Sequence, residues 1–279
     1  MLDNPEESTD QEDFDDGGIH MTADAILDAC KEHHLSILPD LNETLYLYHI
    51  GFPSIRNLEP YINLKSIWLN NNSITKIENL SHLSNLTTLY LQNNFIEKIE
   101  GLDQLSLIDT LNLAHNYIEK VENLQNLTHL QSLDLERNRL KTAESLEGLT
   151  ECPSIKILNL TGNGLSGDPE QILSVLARLP NLRVLRLDAN PFVPNTPNYR
   201  RLVILKLPQL NYLDDEPIQE NDRRLANAWI QGGKTAEREE RAKIRAEKAA
   251  EEINDMKGLR KLQRERMLAD GKKIEDFPE

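Results

Sequence analysis

Cysteine, aromatic residues and positive charge are all scarce in this 279-residue chain. Its two cysteines, Cys30 and Cys152, are too few for a disulfide framework, so a reducing compartment is expected. It has 31 Lys and Arg residues against 46 Asp and Glu residues, which gives a net charge of −15. Binding of nucleic acid or of an anionic membrane surface needs a basic surface, so neither is expected as a partner.

Long apolar runs are absent as well. No segment approaches the roughly 18 apolar residues that a membrane-spanning helix requires. The first twenty residues hold eight acidic and no basic residues and lack the apolar stretch of a secretory signal. We therefore predict a disordered acidic tail over residues 1–20 and no secretory signal of the usual kind.

A repeat of 22 residues dominates the middle of the chain. Four segments align without gaps, each with an asparagine 22 residues after the last, and two further copies follow at steps of 25 and 27 residues. One atypical copy precedes them, with Ile50 where the asparagine would stand. The repeat predicts seven stacked coils. The four gapless segments are 64–80, 86–102, 108–124 and 130–146.

The pattern L-x-x-L-x-L-x-x-N-x-I is typical of leucine-rich repeats. The two leucines of L-x-L point one way and the middle residue the other, as in a short strand. The pattern predicts an α/β solenoid, a right-handed curved stack whose parallel strands line the concave face about 4.8 Å apart. We expect the asparagines to form an inward structural ladder that bonds backbone groups. They are Asn72, Asn94, Asn116, Asn138, Asn163 and Asn190.

The two ends of the chain differ from the repeats. Residues 21–40 predict an N-terminal capping helix with Thr22 as its N-cap, and 41–215 predict the repeat domain with its C-terminal cap. Within it, 168–179 predicts a helix that starts after Asp168. Residues 216–279 predict a charged helical extension, a solvated single helix rather than a coiled coil, interrupted at Gly258.

No motif supports catalysis or cofactor binding. Gly233-Lys234-Thr235 resembles the end of a phosphate-binding loop, but the glycine required five residues before Gly233 is Ala228. The seven histidines are not spaced with cysteines or carboxylates as metal ligands would be. The sequence therefore predicts a protein that is not an enzyme and that has no metal or cofactor.

The outward-facing residues of the strands are the candidate binding residues. Exposed aromatic side chains on a rigid surface are typical anchors of protein interfaces, although these rings could instead pack on one another. Toward the later coils the same columns become polar and acidic, so we expect a partner with an apolar patch beside basic residues. The first column is Tyr46, Trp68, Tyr90, Asn112, Asp134, Asn159 and Arg186, and the second is Tyr48, Asn70, Gln92, Ala114, Glu136, Thr161 and Asp188.

The flanking segments carry a more specific resemblance. The segments MTADAILDACKEHHL and LNETLYLYHIGFPSIRNLEPY at the start, and NPFVPNTPNYRRLVILKLPQLNYLDDEPIQENDRRLANAWIQGG at the end, resemble the leucine-rich-repeat axonemal dynein assembly factors. The resemblance covers residues from about 21 to 240. It implies a non-enzymatic protein of the cytoplasm and cilium that acts in preassembly of dynein arms, with dynein subunits or assembly cochaperones as partners.

Two other functions remain open at this stage. The I-x-K-I-E-N-L motif of the 22-residue coils also resembles the leucine-rich repeats of a regulatory subunit of protein phosphatase 1. A protein of that kind would bind an enzyme through the concave face. Short solenoids also occur in ribonucleoprotein components, but the net charge of −15 disfavours direct contact with RNA.

Overall fold

The computed structural model describes residues 18–269. The acidic tail predicted over 1–20 therefore lies, as far as residue 17, outside the described residues, and so do the last ten residues of the predicted extension. The described chain divides into two compact units. The first contains 18–197 and Tyr212–Asp215, and the second contains Asn198–Asn211 and 216–269.

The first unit begins with helix α1, Ala23–Glu32. Thr22 is its N-cap, as predicted, because its hydroxyl accepts a hydrogen bond from the Ala25 amide at 3.1 Å. Ile26, Ala29 and Cys30 form the buried face of the helix. A 3₁₀ helix, Pro39–Leu41, leads from it to the first coil.

Eight short parallel strands follow, and each pairs with the next in chain order. Strands β1 to β4 pair residue by residue with a constant offset of 22, which is the sequence repeat itself. The strands are β1 Thr44–Tyr46, β2 Ser66–Trp68, β3 Thr88–Tyr90, β4 Thr110–Asn112, β5 Ser132–Asp134, β6 Ile157–Asn159, β7 Val184–Arg186 and β8 Tyr212–Leu213.

Leucine and isoleucine fill the interior of the stack. In each of β1 to β5 the central residue is buried and its two neighbours are partly exposed, so the strands alternate as predicted. No single coil has enough apolar surface to exclude water, and the core forms because equivalent residues of successive coils stack. Leu45, Ile67, Leu89, Leu111 and Leu133 are one such row.

The secondary structure on the side of the coils opposite the strands depends on the length of each coil. The 22-residue coils cross it in turns, whereas the longer later coils have room for helices. A 3₁₀ helix spans Glu144–Glu151, and helix α2 spans Pro169–Leu176. The predicted N-cap of α2 is confirmed, since the Asp168 carboxylate accepts from the Glu170 amide at 3.0 Å. The unit is thus the α/β solenoid that the repeat predicts.

The second unit contains helix α3, Tyr199–Lys206, strand β9, Glu216–Pro217, and helix α4, Glu220–Ala269. The expected interruption of the charged helix at Gly258 is wrong, because residue 258 lies within continuous helix. The break is at Gly232 and Gly233, and Gly233 has φ +64°. A lone glycine costs a helix only about 1 kcal/mol, whereas a Gly-Gly pair readily takes the left-handed conformation that ends one.

The expectation of a single solvated helix is also wrong. Arg224 precedes the break, and its guanidinium donates to Glu240 at 2.8 Å and to Glu247 at 2.6 Å. A straight helix would hold these residues roughly 24 and 35 Å from Arg224, so the second half must turn back along the first. Arg201 of α3 donates to the buried Glu237 at 2.5 Å. The pairs are tertiary, and helical periodicity therefore does not reveal them.

Among the described residues, none of the helices combines the length and apolar character needed to cross a membrane.

Candidate functional site

The candidate site is the concave face, the outward side of strands β1 to β7. Backbone pairing continues beyond the assigned strands, because Asn71 N–H donates to Gln92 O at 2.9 Å and His49 N–H donates to Asn70 O at 3.2 Å. Equivalent side chains of neighbouring coils therefore lie side by side in both outward columns. The rigid hydrogen-bonded backbone fixes their spacing at about one strand separation.

Aromatic rings form a continuous row on the first three strands. The ring centroids of Tyr46 and Trp68 are 4.8 Å apart, and those of Trp68 and Tyr90 are 4.9 Å apart in a stacked arrangement. All three side chains are partly exposed. The rings thus pack on one another and still present surface to solvent, so mutual packing and partner binding are compatible.

His33 extends this row and was missed by the sequence analysis. It is the C-cap of α1, and its ring centroid lies 5.0 Å from that of Tyr46 and 5.4 Å from that of Tyr48. Tyr48 in turn meets Tyr46 edge-on at 6.3 Å. The only sequence signal was the position of His33 at the end of a helix predicted to cap the first coil.

Asn70 and Gln92 occupy the second column beside the aromatic row. Both side chains are partly exposed, but Asn70 Oδ1 and Gln92 Oε1 are buried and accept no hydrogen bond from the described residues. Buried polar atoms normally have partners, so these two oxygens stand out as unused acceptors.

The next residues of the first column have a local structural role. Asn112 Oδ1 accepts from the Ala114 amide at 3.0 Å, and Asp134 Oδ1 accepts from the Glu136 amide at 2.9 Å. Asn159, which is buried, makes the same bond two residues ahead, to Thr161 N–H at 3.0 Å. These side chains therefore stabilise the turn after each strand and leave only their remaining polar atoms for a partner.

Burial raises the pKa of the Asp134 carboxyl above its ordinary value, and the nearby Glu136 carboxylate acts in the same direction. Hydrogen bonds from the Glu136 amide and the Asn159 side chain act against this rise in pKa. A carboxyl whose folded-state pKa is raised favours the folded state below its unfolded pKa, and that contribution is lost as pH rises through the folded pKa.

We therefore expect Asp134→Asn to raise the melting temperature at pH 7 by about 1 to 3 °C and to give no gain near pH 3. The amide keeps the hydrogen bond that Asn112 and Asn159 already make at the equivalent position. Thermal melts followed by circular dichroism at both pH values measure the difference. Asp103→Asn makes the same charge change at an exposed position, and an equal gain in that control would contradict the burial argument.

Two further charged residues of the face, Glu136 and Arg186, are already paired. Glu136 lies 3.9 Å from His115 Nε2 and 3.6 Å from Arg137 Nε, and it accepts from Asn159 Nδ2 at 3.2 Å. Arg186 donates to Asp215 at 2.6 Å. The later coils therefore present a polar, hydrogen-bonded surface, in contrast to the aromatic surface of the first three.

The predicted asparagine ladder lies inside the coils. Asn94 Oδ1 accepts from the Ile74 amide at 3.0 Å, and its Nδ2 donates to Leu69 O at 3.0 Å and to Leu91 O at 2.9 Å. Equivalent bonds are made by the other five ladder residues, and all six side chains are buried. The same amide group thus bridges two coils and closes the turn within its own coil. The other five are Asn72, Asn116, Asn138, Asn163 and Asn190.

A second asparagine ladder was not predicted. Asn79 Nδ2 donates to Ile55 O and Asn123 Nδ2 donates to Ile99 O, both at 2.7 Å, and Asn57 Nδ2 donates to Met21 O at 2.6 Å. All three have a positive φ. The signal was present in the E-N-L that ends two of the repeats, where the asparagine recurs at a fixed place.

Neither cysteine is placed for chemistry. Burial raises the pKa of the Cys152 thiol to about 11, and burial also raises the pKa of Cys30. A reactive thiol needs the opposite, an exposed and electropositive environment. Within residues 18–269, no group of three or more His, Cys, Asp or Glu side chains is arranged to hold a metal ion.

Known proteins resemble this chain in sequence. Over 229 residues it is 62% identical to "Dynein axonemal assembly factor 1" of Peromyscus polionotus, which covers 82% of this chain and 36% of the relative. Over 227 residues it is 52% identical to "Leucine-rich repeat-containing protein ODA7" of Chlamydomonas reinhardtii, which covers 81% of this chain and 52% of the relative. The resemblance stated from the flanking segments is confirmed, and the chain spans about a third of the length of the Peromyscus relative.

A solved structure agrees on the fold. An internalin from Listeria monocytogenes matches with a TM-score of 0.55 and 23% identity, over 73% of this chain and 59% of the internalin. Family models described as leucine-rich repeats match residues 62–104 and 101–243, and the second match alone spans more than half of the chain. Together with the coil period, the parallel sheet and the buried asparagines, these matches show that the chain belongs to the leucine-rich repeat family.

Proposed function

We propose that this chain is a non-enzymatic, protein-binding scaffold that acts in the assembly of axonemal dynein arms. The relatives that carry this proposal are named as axonemal dynein assembly factors, at 62% identity over most of this chain. The expected sites of action are the cytoplasm, where arms are preassembled, and the cilium or flagellum. A role as a regulatory subunit of a protein phosphatase is not favoured, because the only feature that supports it is the general repeat motif I-x-K-I-E-N-L.

The proposed contact surface is the aromatic part of the concave face. Its anchors are Tyr46, Trp68 and Tyr90, which are held at fixed spacing by the sheet and are partly exposed. Preorganised aromatic side chains lose little conformational entropy on binding, and such residues dominate the binding energy of protein interfaces. The partners would be dynein subunits or assembly cochaperones.

The double variant Trp68→Ala/Tyr90→Ala is expected to abolish this contact. Removal of a central aromatic anchor costs on the order of 2 kcal/mol of binding energy, which is about a 30-fold loss of affinity. The double variant and the wild-type chain are each expressed in a flagellated cell that lacks its own copy of the protein. Electron microscopy of axoneme cross-sections then gives the density of dynein arms, which we expect wild type to restore and the double variant not to restore.

Phe95→Ala is the matched control. Phe95 is an exposed aromatic residue, but it lies after the ladder asparagine, outside the two concave columns. We expect arms at wild-type density with this variant, and melting curves must show that all variants are folded. Normal arms in cells with Trp68→Ala/Tyr90→Ala would show that the concave rings are not the contact surface. Normal arms in cells without any copy of the chain would refute the role in assembly.

A further inference from the structure

Two acceptors on the concave face have no donor among the residues that the structure describes. Asn70 Oδ1 and Gln92 Oε1 are buried, and neither accepts a hydrogen bond from the described residues. A buried acceptor without a partner is unfavourable in the free protein, and a donor supplied by a ligand removes that cost. These oxygens therefore indicate what kind of group the surface is built to receive.

The two acceptors are adjacent to each other and to the aromatic row. Strands β2 and β3 pair Trp68 with Tyr90, and the pairing continues so that Asn71 N–H donates to Gln92 O. Asn70 and Gln92 follow Trp68 and Tyr90 by two residues, so all four side chains point to the same face. The result is a stacked pair of rings with two amide oxygens along one side.

The charges around this group favour a cation. In the first four coils, neither outward column contains a charged residue, so no basic side chain of these columns competes for the acceptors. The first charged residues beyond them in the two columns are Asp134 and Glu136, of which Glu136 is already paired with Arg137 at 3.6 Å. Aromatic faces, amide oxygens and carboxylates all attract positively charged donors.

We infer that the surface formed by Trp68, Tyr90, Asn70 and Gln92 receives an arginine side chain of the protein partner. The inference rests on the proposed function, in which this face binds a protein. A guanidinium is planar, packs against aromatic surface and has five donors in a fixed fork, so one group can contact the exposed part of the stacked rings and donate to both acceptors. A lysine lacks the planar fork, and an apolar side chain leaves both acceptors unpaired. The amide groups turn about their terminal torsions, which are soft, to meet the donor.

The test uses Trp68 as its own reporter. The chain has two tryptophans, so a Trp229→Phe background leaves Trp68 as the single indole. The probe is the blocked peptide acetyl-Gly-Arg-Gly-amide, titrated at constant ionic strength, and its counterpart has citrulline, which keeps the shape and loses the charge. We expect a saturable change of Trp68 emission with the arginine peptide and binding at least about tenfold weaker with the citrulline peptide.

Variants at the two acceptors complete the test. Asn70→Leu/Gln92→Leu in the same background is expected to weaken binding of the arginine peptide by about tenfold, because both amide oxygens are lost. Asn85→Leu, at an exposed turn position outside the two outward columns, is expected to leave it unchanged. Equal responses to the arginine and citrulline peptides, or an arginine response that survives Asn70→Leu/Gln92→Leu, overturn the inference.

The outcome is separable from that of the proposed function. If Trp68→Ala/Tyr90→Ala abolishes dynein arms but the arginine peptide does not bind, the docking surface stands and the arginine assignment is overturned. If the arginine peptide binds as expected but that double variant still supports normal arms, the arginine site stands and its proposed role in arm assembly fails.

Discussion

Asn116→Asp is expected to lower the free energy of unfolding by about 4 kcal/mol at pH 7. Asn116 is 4% exposed, and its Oδ1 accepts from Ile96 N–H at 3.0 Å. Its Nδ2 donates to Leu91 O and Leu113 O, both at 3.0 Å, and approaches Ala114 O at 3.3 Å. One side chain thus serves one backbone donor and three backbone acceptors.

The substitution changes only one side of this arrangement. A carboxylate keeps the acceptor for Ile96 N–H, but its second oxygen faces three carbonyl oxygens, and it brings an unpaired charge into a buried position. Burial and the facing carbonyls raise the pKa of the introduced carboxyl in the folded state. The loss of stability is therefore expected to shrink as pH falls, because the protonated form supplies one donor again.

Urea denaturation at pH 7 and pH 4.5 measures both effects. Asn85→Asp makes the same chemical change and adds the same charge at an exposed position, so it isolates the effect of burial. We expect that control to change the free energy of unfolding by less than about 0.5 kcal/mol. A loss at Asn116 no larger than the loss at Asn85 would show that the ladder contributes little to stability.

The repeat made the solenoid predictable because each coil repeats the same contacts. Local sequence sets the L-x-L strand, and the constant spacing then brings Trp68 beside Tyr90 without any further information. The positions of the residues in the concave columns therefore follow from the repeat spacing. The role of each side chain in these columns does not follow from the repeat spacing. Asn112 and Asp134 accept hydrogen bonds from backbone amides two residues ahead, whereas the side-chain oxygens of Asn70 and Gln92 accept none from the described residues.

Features that depend on contacts between dissimilar segments were missed. His33 joins the aromatic row because α1 ends against the first coil, which no periodicity describes. The turn in α4 depends on a Gly-Gly pair and on Arg224, which meets carboxylates 16 and 23 residues away. Helical spacing explains pairs three or four residues apart, such as Glu237 with Arg241, and is silent on the others.

At one position of the second asparagine ladder, the 22-residue spacing alone predicts the wrong residue. Asn79 and Asn123 occupy one position of the repeat, and Gly101 stands at the same position of the coil between them. The repeat spacing alone would predict that Gly101→Asn stabilises the protein. Gly101 has φ +70°, and a β-carbon there would lie 2.2 Å from Ile77 O and 3.0 Å from Ile77 C. At Asn79, by contrast, the carbonyl of Ile55 is met by Nδ2 at 2.7 Å.

We therefore expect Gly101→Ala to lower the free energy of unfolding by about 2 to 5 kcal/mol. The left-handed conformation costs an L-residue about 1 to 2 kcal/mol, and displacement of a packed backbone carbonyl costs about 1 to 3 kcal/mol more. Gly101→Asn is expected to destabilise too, because its β-carbon meets the same carbonyl before its amide can bond. Urea denaturation of both variants beside wild type gives these values.

Gly167→Ala separates the two causes. Gly167 also has a positive φ, at +101°, but a β-carbon there would meet no atom within 4 Å. Gly167→Ala should therefore lower the free energy of unfolding only by the conformational cost of about 1 to 2 kcal/mol. The additional destabilisation caused by Gly101→Ala then measures the packing of one coil against the next. If Gly101→Asn stabilised the protein, the coils would be free to move apart at this point, and the close contact with Ile77 would not govern which residue the position accepts.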